Sequence, residues 1–173
     1  GLPNIPSMVA AVDTLTTPKA IHLFEKFGIF TEAELRSRAE VLYETYAKTI
    51  NIEALTMIDM ASKKFIPAVV KYTKTLADTV IAVKEAGADA SVQAELLGDV
   101  STRLSAAKVA LTKLEKAVAE ATAIEDAKAQ AFFYKDTVKD AMAELRAPID
   151  ELEMLVDKEV WPVPTYGELT FEV

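Results

Sequence analysis

The chain has 173 residues, of which 51% are hydrophobic, so it holds enough apolar material for the core of at least one domain. It carries 19 Lys and Arg against 27 Asp and Glu, a net charge of −8, and such a surface repels phosphate backbones and anionic lipid. Nucleic-acid and membrane binding are therefore not expected. The lack of cysteine excludes a disulfide framework, thiolate catalysis and Cys-ligated metal.

Residues 1–30 are interrupted by Pro3, Pro6 and Pro18 and carry few charges. This composition predicts an extended N-terminal arm that lies on other protein. Within the arm, Thr17 and Pro18 suit the N-cap and N1 positions of a short helix that ends at Gly28. The apolar face predicted for this helix comprises Ile21, Phe24 and Phe27, with Leu23 beside it.

The central part of the chain lacks the turn residues that a sheet needs about every 8–12 positions. Between Ile29 and Trp161, glycine and proline occur only at Pro67, Gly87, Gly98 and Pro148. This scarcity predicts helices, and the motif Thr31-Glu32-Ala33-Glu34 is a capping box that begins the first of them.

Three main helices follow from the spacing of apolar residues by three or four positions. The first runs from Thr31 to about Gly87, with a kink expected near Lys63–Pro67. The second covers 92–121, and its expected seam is Leu97, Val100, Leu104, Ala107, Leu111, Leu114 and Val118. The third covers 124–156, with a bend near Glu144 caused by Pro148. Since the connections are short, the prediction is an all-α fold, a long antiparallel helical bundle over residues 31–160 that is kinked at its prolines.

The last thirteen residues, 161–173, break the helical pattern with two prolines and end in an alternating, strand-like sequence. We expect an extended C-terminal tail that docks on a partner surface or on its own bundle, because exposed termini rarely carry several aromatic residues. The arm and the tail together supply the candidate interface residues Phe24, Phe27, Trp161, Pro162, Pro164, Tyr166 and Phe171.

Few residues are suited to catalysis. The single histidine, His22, is more typical of a surface or packing residue than of a ligand, and no Ser-His-Asp arrangement or phosphate-binding glycine loop is present. The segment 50–60 is apolar on more than one face, which predicts that more than two helices cover it. Its acids Glu53 and Asp59 fit either a buried pair with shifted pKa values or a polar strip bonded to Lys48, Lys63 or a segment of the arm, and the second is favoured.

No catalytic, cofactor-binding or metal-binding residue is assigned on these grounds. The residues alone indicate a helical interaction module. A small enzyme that uses Glu53 and Asp59 as acid and base is a remote alternative.

Five segments stand out in order along the chain: LFEKFG (Leu23–Gly28), KTINIEALTMIDM (Lys48–Met60), FFYKD (Phe132–Asp136), MAELR (Met142–Arg146) and WPVPTYGEL (Trp161–Leu169). Together they are similar to the C-terminal region of type III glutamine synthetases, the large bacterial form of that enzyme. The resemblance implies that the chain is an excised C-terminal piece of a longer protein. The sequence shows neither an apolar stretch long enough to span a membrane nor a signal-peptide pattern at its start, so the cytoplasm is the expected compartment.

The resemblance also implies what the longer protein does. Such enzymes join ammonia to glutamate with ATP and divalent metal, Mg²⁺ or Mn²⁺, and their metal and ATP sites lie in an upstream catalytic domain. This segment is then expected to hold no cofactor and to be inactive alone, as a structural and assembly domain. Its expected partners are the upstream catalytic domain and the other subunits of a dodecamer. The alternative is a free-standing helical adaptor or sensor that binds a protein partner.

Overall fold

The computed structural model describes residues 4–171, with the side chains of Tyr166 and Phe171 outside the described part. Within this range the protein is helical and contains no strand, which confirms the predicted all-α class. The helices are α1 (Met8–Leu15), α2 (Pro18–Lys26), α3 (Glu32–Met60), α4 (Ile66–Glu85), α5 (Ser91–Thr122), α6 (Ala127–Phe133), α7 (Lys139–Glu153) and α8 (Tyr166–Phe171). Two π-helical segments, Ala61–Phe65 and Tyr134–Val138, link α3 to α4 and α6 to α7.

Several helix ends form through the local contacts predicted from the sequence. At the start of α3, the Thr31 backbone N–H donates to Glu34 Oε2 at 2.8 Å and the Glu34 backbone N–H donates to Thr31 Oγ1 at 3.3 Å. This is the expected capping box. At the end of α4, Gly87 has a φ of +77° and the Ala88 N–H donates to the Val83 carbonyl at 3.1 Å. The left-handed turn suits glycine, so Gly87 ends the helix as predicted.

The two internal prolines have different surroundings. The π-helical segment Ala61–Phe65 lies directly before Pro67, whose nitrogen has no hydrogen to donate to the Lys63 carbonyl. Pro148 lies inside α7, which continues to Glu153. The second π-helical segment, Tyr134–Val138, was not predicted.

Both ends of the chain contain helix that the sequence analysis did not expect. In the arm, the Ser7 side chain caps α1 by accepting from the Ala10 N–H at 3.2 Å. The prediction of a strand-like C-terminal end was wrong over the described residues, because α8 forms there. The Thr165 N–H donates to Glu168 Oε2 at 2.7 Å and the Glu168 N–H donates to Thr165 Oγ1 at 3.3 Å. This second capping box overrides the alternating pattern.

The described residues form two compact units. Unit 1 comprises residues 4–55 and Lys116–Asp140, and unit 2 comprises Thr56–Glu115 and residues 141–171. In unit 1, α1 packs on α3 and α6 around the buried side chains of Val9, Val12, Ala39, Tyr43 and Ala131. The first helix of the arm is therefore part of a core made by this chain.

Unit 2 buries the predicted seam of α5, including Val100, Ala107, Leu111 and Leu114. On α7 it buries Leu145, Ile149 and Leu152. Two ion pairs join these helices: Arg103 Nε lies 2.8 Å from Glu151 Oε2, and Lys113 Nζ lies 2.6 Å from Glu144 Oε2.

The prediction that several helices cover the segment 50–60 was wrong. Of its residues only Ala54 is buried, while the side chains of Ile52 and Leu55 are 65% and 49% exposed. The buried stripe of this helix is narrow and largely alanine, so the larger apolar residues beside it stay in solvent.

Candidate functional site

The acids and the histidine considered as catalytic residues lie apart on helix surfaces. His22 is exposed on α2, Glu53 is exposed on α3, and Asp59 forms an ion pair with Lys63 one turn later. The Asp59–Lys63 pair confirms the ion-pair interpretation for that acid. Over residues 4–171, no cluster of three or more His, Cys, Asp or Glu side chains could hold a metal ion. In the same range, no helix has both the length and the hydropathy needed to cross a membrane.

The most distinctive surface of unit 1 is one face of α2. The exposed side chains of Lys19, His22, Leu23, Lys26 and Phe27 occupy positions i, i+3, i+4, i+7 and i+8, and we call them the basic strip. Leu23 is 52% exposed and Phe27 is 66% exposed, and the Lys26 Nζ lies 6.0 Å from the centre of the Phe27 ring. The strip thus combines apolar side chains with positive charge.

The opposite face of α2 fixes the strip in place. The Thr17 side chain caps the helix by accepting from the Ala20 N–H at 3.4 Å, and Ile21 is buried. The rings of Phe24 and Phe30 lie 5.8 Å apart, with the Arg38 guanidinium 4.4 Å from the centre of the Phe30 ring. Of the three residues predicted for the apolar face of this helix, Ile21 and Phe24 pack inward and Phe27 is exposed to solvent.

Unit 2 contains an apolar cleft with a volume of about 430 Å³. Helical residues form most of its walls, and the C-terminal segment supplies Val163, Pro164 and Leu169. Its main apolar lining residues are Met57, Met60, Phe65, Leu145, Ile149 and Leu169. The size and apolar character of this cleft are typical of binding sites.

The charges beside the cleft come from α7. They are the guanidinium of Arg146 and the carboxylates of Asp150 and Glu153, with Arg146 Nε 3.0 Å from Asp150 Oδ2. Two carboxylates against one guanidinium leave the charged side chains of the cleft net negative. A ligand with an apolar body and a positive charge fits this arrangement best.

The C-terminal segment is held to unit 2 through its tryptophan. Trp161 is 6% exposed and stacks on Phe65 with the ring centres 5.0 Å apart. The Trp161 Nε1 is buried and finds no acceptor within the described part of the chain. Lys158 Nζ lies 3.0 Å from Glu168 Oε1, which adds a second attachment. The tail therefore docks on residues of this chain, one of the two alternatives considered from the sequence.

The other candidate interface residues of the tail differ in exposure. Pro162 and Pro164 are exposed, and Pro164 also lines the apolar cleft. The side chains of Tyr166 and Phe171 lie outside the described residues. Trp161 is buried against Phe65, so it does not contribute to the exposed surface of this segment.

A polar cluster ties α1 to α3 and α6 in unit 1. Tyr43 Oη donates to Asp13 Oδ1 at 3.2 Å, and Lys128 forms an ion pair with the same carboxylate. The hydrogen bond from Lys128 holds the pKa of Asp13 below its usual value. Burial, together with the adjacent carboxylate, raises the pKa of Tyr43 to about 12. The cluster therefore favours a protonated Tyr43 hydroxyl that donates to an ionised Asp13 carboxylate, which are the states that the hydrogen bond needs.

Two features of these surfaces were not predicted. Phe27 was a predicted interface residue, but the helical register that places Lys19, His22 and Lys26 on the same face was not, although their spacing is readable in the sequence. The apolar cleft is the second feature. The cleft joins residues far apart in the chain, such as Met57, Leu145 and Leu169, so no local pattern could have revealed it.

Comparison with known proteins finds similarity to glutamine synthetases. Residues 1–84 match the family described as the glutamine synthetase C-terminal domain. The whole chain is 33% identical to a glutamine synthetase of Butyrivibrio fibrisolvens, of which it covers 25%. Over 99% of its length it is 33% identical to a glutamine synthetase of Bacteroides fragilis (strain YCH46) and 30% identical to a type-3 glutamine synthetase of Dictyostelium discoideum, covering 24% of each. The chain thus spans about a quarter of the length of these curated relatives. Its first 84 residues are therefore similar to the glutamine synthetase C-terminal domain, and its whole length is similar to part of these larger proteins.

Proposed function

We propose that this chain is the structural and assembly domain of a glutamine synthetase, a larger protein that joins ammonia to glutamate with ATP. The observation that carries the proposal is the similarity along the whole chain to about a quarter of each glutamine synthetase it matches. ATP and Mg²⁺ or Mn²⁺ then act in the catalytic domain of the longer protein. The cytoplasm is the expected compartment of that enzyme.

The proposed partners are the catalytic domain of the same protein and the neighbouring subunits of a homo-oligomer, a dodecamer by resemblance. In this arrangement residues 1–30 connect to the catalytic domain, residues 31–160 form the bundle and residues 161–173 form the tail. Exposed Phe27 and the cleft-lining Pro164 support contact with a partner. The proposed interface comprises Phe27, Pro162, Pro164, Tyr166 and Phe171. Phe24 and Trp161, which pack within the chain, support it from behind.

We also propose that the main helices run antiparallel and bend at the prolines. The pairs Arg103–Glu151 and Lys113–Glu144 support this, because residue numbers rise along α5 while they fall along α7. The π-helical segment before Pro67 supports a bend at that point, since a missing backbone donor and a widened turn are common causes of kinks.

The test is made on the full-length protein that contains this chain, with and without the region of residues 1–173. Particle mass is measured by mass photometry, and glutamine formation from glutamate, ammonia and ATP is measured on the same sample. Removing the region is expected to reduce the number of subunits per particle, calculated as the particle mass divided by the mass of the shortened subunit. An intact protein that forms no glutamine would refute the enzyme assignment. An oligomer of unchanged stoichiometry without the region would refute the assembly role.

A further inference from the structure

The basic strip differs in charge from the rest of the chain. The protein has a net charge of −8, yet the five exposed positions of the strip hold Lys19, His22 and Lys26 with Leu23 and Phe27 and no carboxylate. The acid of α2, Glu25, lies at another position, where its Oε1 accepts from the Glu32 N–H at 3.2 Å. Two apolar side chains one turn apart on a helix face can anchor in an apolar groove, and Lys19 and Lys26 add positive charge beside them.

The apolar cleft of unit 2 has the complementary properties. Apolar side chains from separate helices line it, and its charged lining residues within the described part of the chain are Arg146, Asp150 and Glu153, of which Arg146 pairs with Asp150. Its volume of about 430 Å³ is in the range that accommodates a ligand or a pair of anchoring side chains. The cleft and the strip thus match in hydrophobicity and oppose each other in charge.

We propose that the basic strip of one copy of this chain docks in the apolar cleft of a second copy, with Leu23 and Phe27 as anchors and Lys26 near Glu153. This inference deepens the proposed assembly role and rests on it. Because the two surfaces differ, the contact is heterologous: each copy offers one strip and one cleft. When each copy is related to the next by the same rotation and these rotations add up to a full turn, such contacts produce a closed ring.

The first test uses the 173-residue chain in sedimentation velocity over a concentration series. The wild-type chain is expected to self-associate, and Phe27→Glu is expected to raise the dissociation constant by about tenfold or more, because a buried aromatic anchor is replaced by a charge. The matched control is Val109→Glu, at a residue of α5 that is 72% exposed and outside both surfaces, and it is expected to associate as wild type does. Far-UV circular dichroism verifies that each variant is folded.

The second test uses the asymmetry of the contact. Met57→Lys damages the cleft and leaves the strip intact, whereas Phe27→Glu does the reverse. Each variant alone is expected to be monomeric. Their mixture is expected to form a one-to-one dimer, because the intact strip of the Met57→Lys variant can bind the intact cleft of the Phe27→Glu variant. A charge reversal tests the proposed ion pair. Lys26→Glu is expected to weaken association, and adding Glu153→Lys to the same chain is expected to restore it, because the two charges are exchanged. A contact between two strips or between two clefts would not produce these recoveries.

The third test uses the natural absence of cysteine. Lys19→Cys, at the edge of the strip, and Met154→Cys, next to Glu153 at the cleft, leave the anchors in place. The two substitutions are made in separate chains that carry different tags, and the chains are treated with a short bifunctional maleimide. A cross-link between the two tagged chains supports the proposal. A wild-type chain that stays monomeric, a Phe27→Glu variant that associates normally, or a mixture that forms no dimer would overturn it. None of these measurements depends on glutamine formation. The docking contact and the enzyme assignment are therefore tested independently.

Discussion

The stacking of Trp161 on Phe65 gives the sharpest prediction of stability. Trp161 is 6% exposed, so Trp161→Ala removes a large buried ring and is expected to reduce the free energy of unfolding by about 3–5 kcal/mol. Trp161→Phe keeps an aromatic ring on Phe65 and removes an indole N–H that has no acceptor in the described residues. Because an unsatisfied buried donor is itself unfavourable, this variant is expected to lose less than about 1.5 kcal/mol.

The assay is urea unfolding followed by far-UV circular dichroism, since the substitutions remove the only tryptophan and its fluorescence. The matched control is Met154→Ala, at a side chain that is 83% exposed, for which a change within about 0.5 kcal/mol is expected. A loss below about 1 kcal/mol for Trp161→Ala would contradict the stacking contact as an anchor of the C-terminal segment. A loss for Trp161→Phe as large as that for Trp161→Ala would show that the indole N–H has an acceptor.

Three further predictions concern contacts inside the units. Tyr43 has a folded-state pKa of about 12 against a usual 10.0, so its contribution to stability is complete below pH 10.0 and is lost as the pH rises toward 12. Alkaline unfolding of Tyr43→Phe is expected to lack this component, and an unchanged pH profile would count against the contact. Gly87→Ala is expected to destabilise by about 1 kcal/mol because its φ is +77°, whereas Gly98→Ala inside α5 is expected to stabilise by about 0.5–1 kcal/mol. Equal shifts in thermal midpoint for the two glycine variants would refute this reasoning. Asn51→Ala removes the acceptor of the buried Tyr134 hydroxyl, 3.0 Å away, and is expected to cost about 1–3 kcal/mol in urea unfolding, more than Tyr134→Phe.

The positions of the main helices could be predicted because their signals are local. The Thr31 capping box, the glycine stop at Gly87 and the Leu and Val seam of α5 all lie within a few residues of the structure they specify. A capping-box signal is also present at Thr165 and Glu168, but the alternating pattern after Trp161 led to the prediction of a strand-like end. A capping box contributes two hydrogen bonds at a helix start, and a terminal segment without a neighbouring strand has nothing to pair with.

The sequence by itself determined the helical class, most boundaries of the main helices and the similarity to glutamine synthetases. Only the tertiary structure decided which apolar residues are covered. Ile52 and Leu55 resemble core residues in the sequence and lie in solvent, whereas Trp161 in the tail is buried on Phe65. The apolar cleft likewise exists only where distant parts of unit 2 meet. Helix formation depends on neighbours within one or two turns, but burial depends on side chains that the fold brings together from far along the chain.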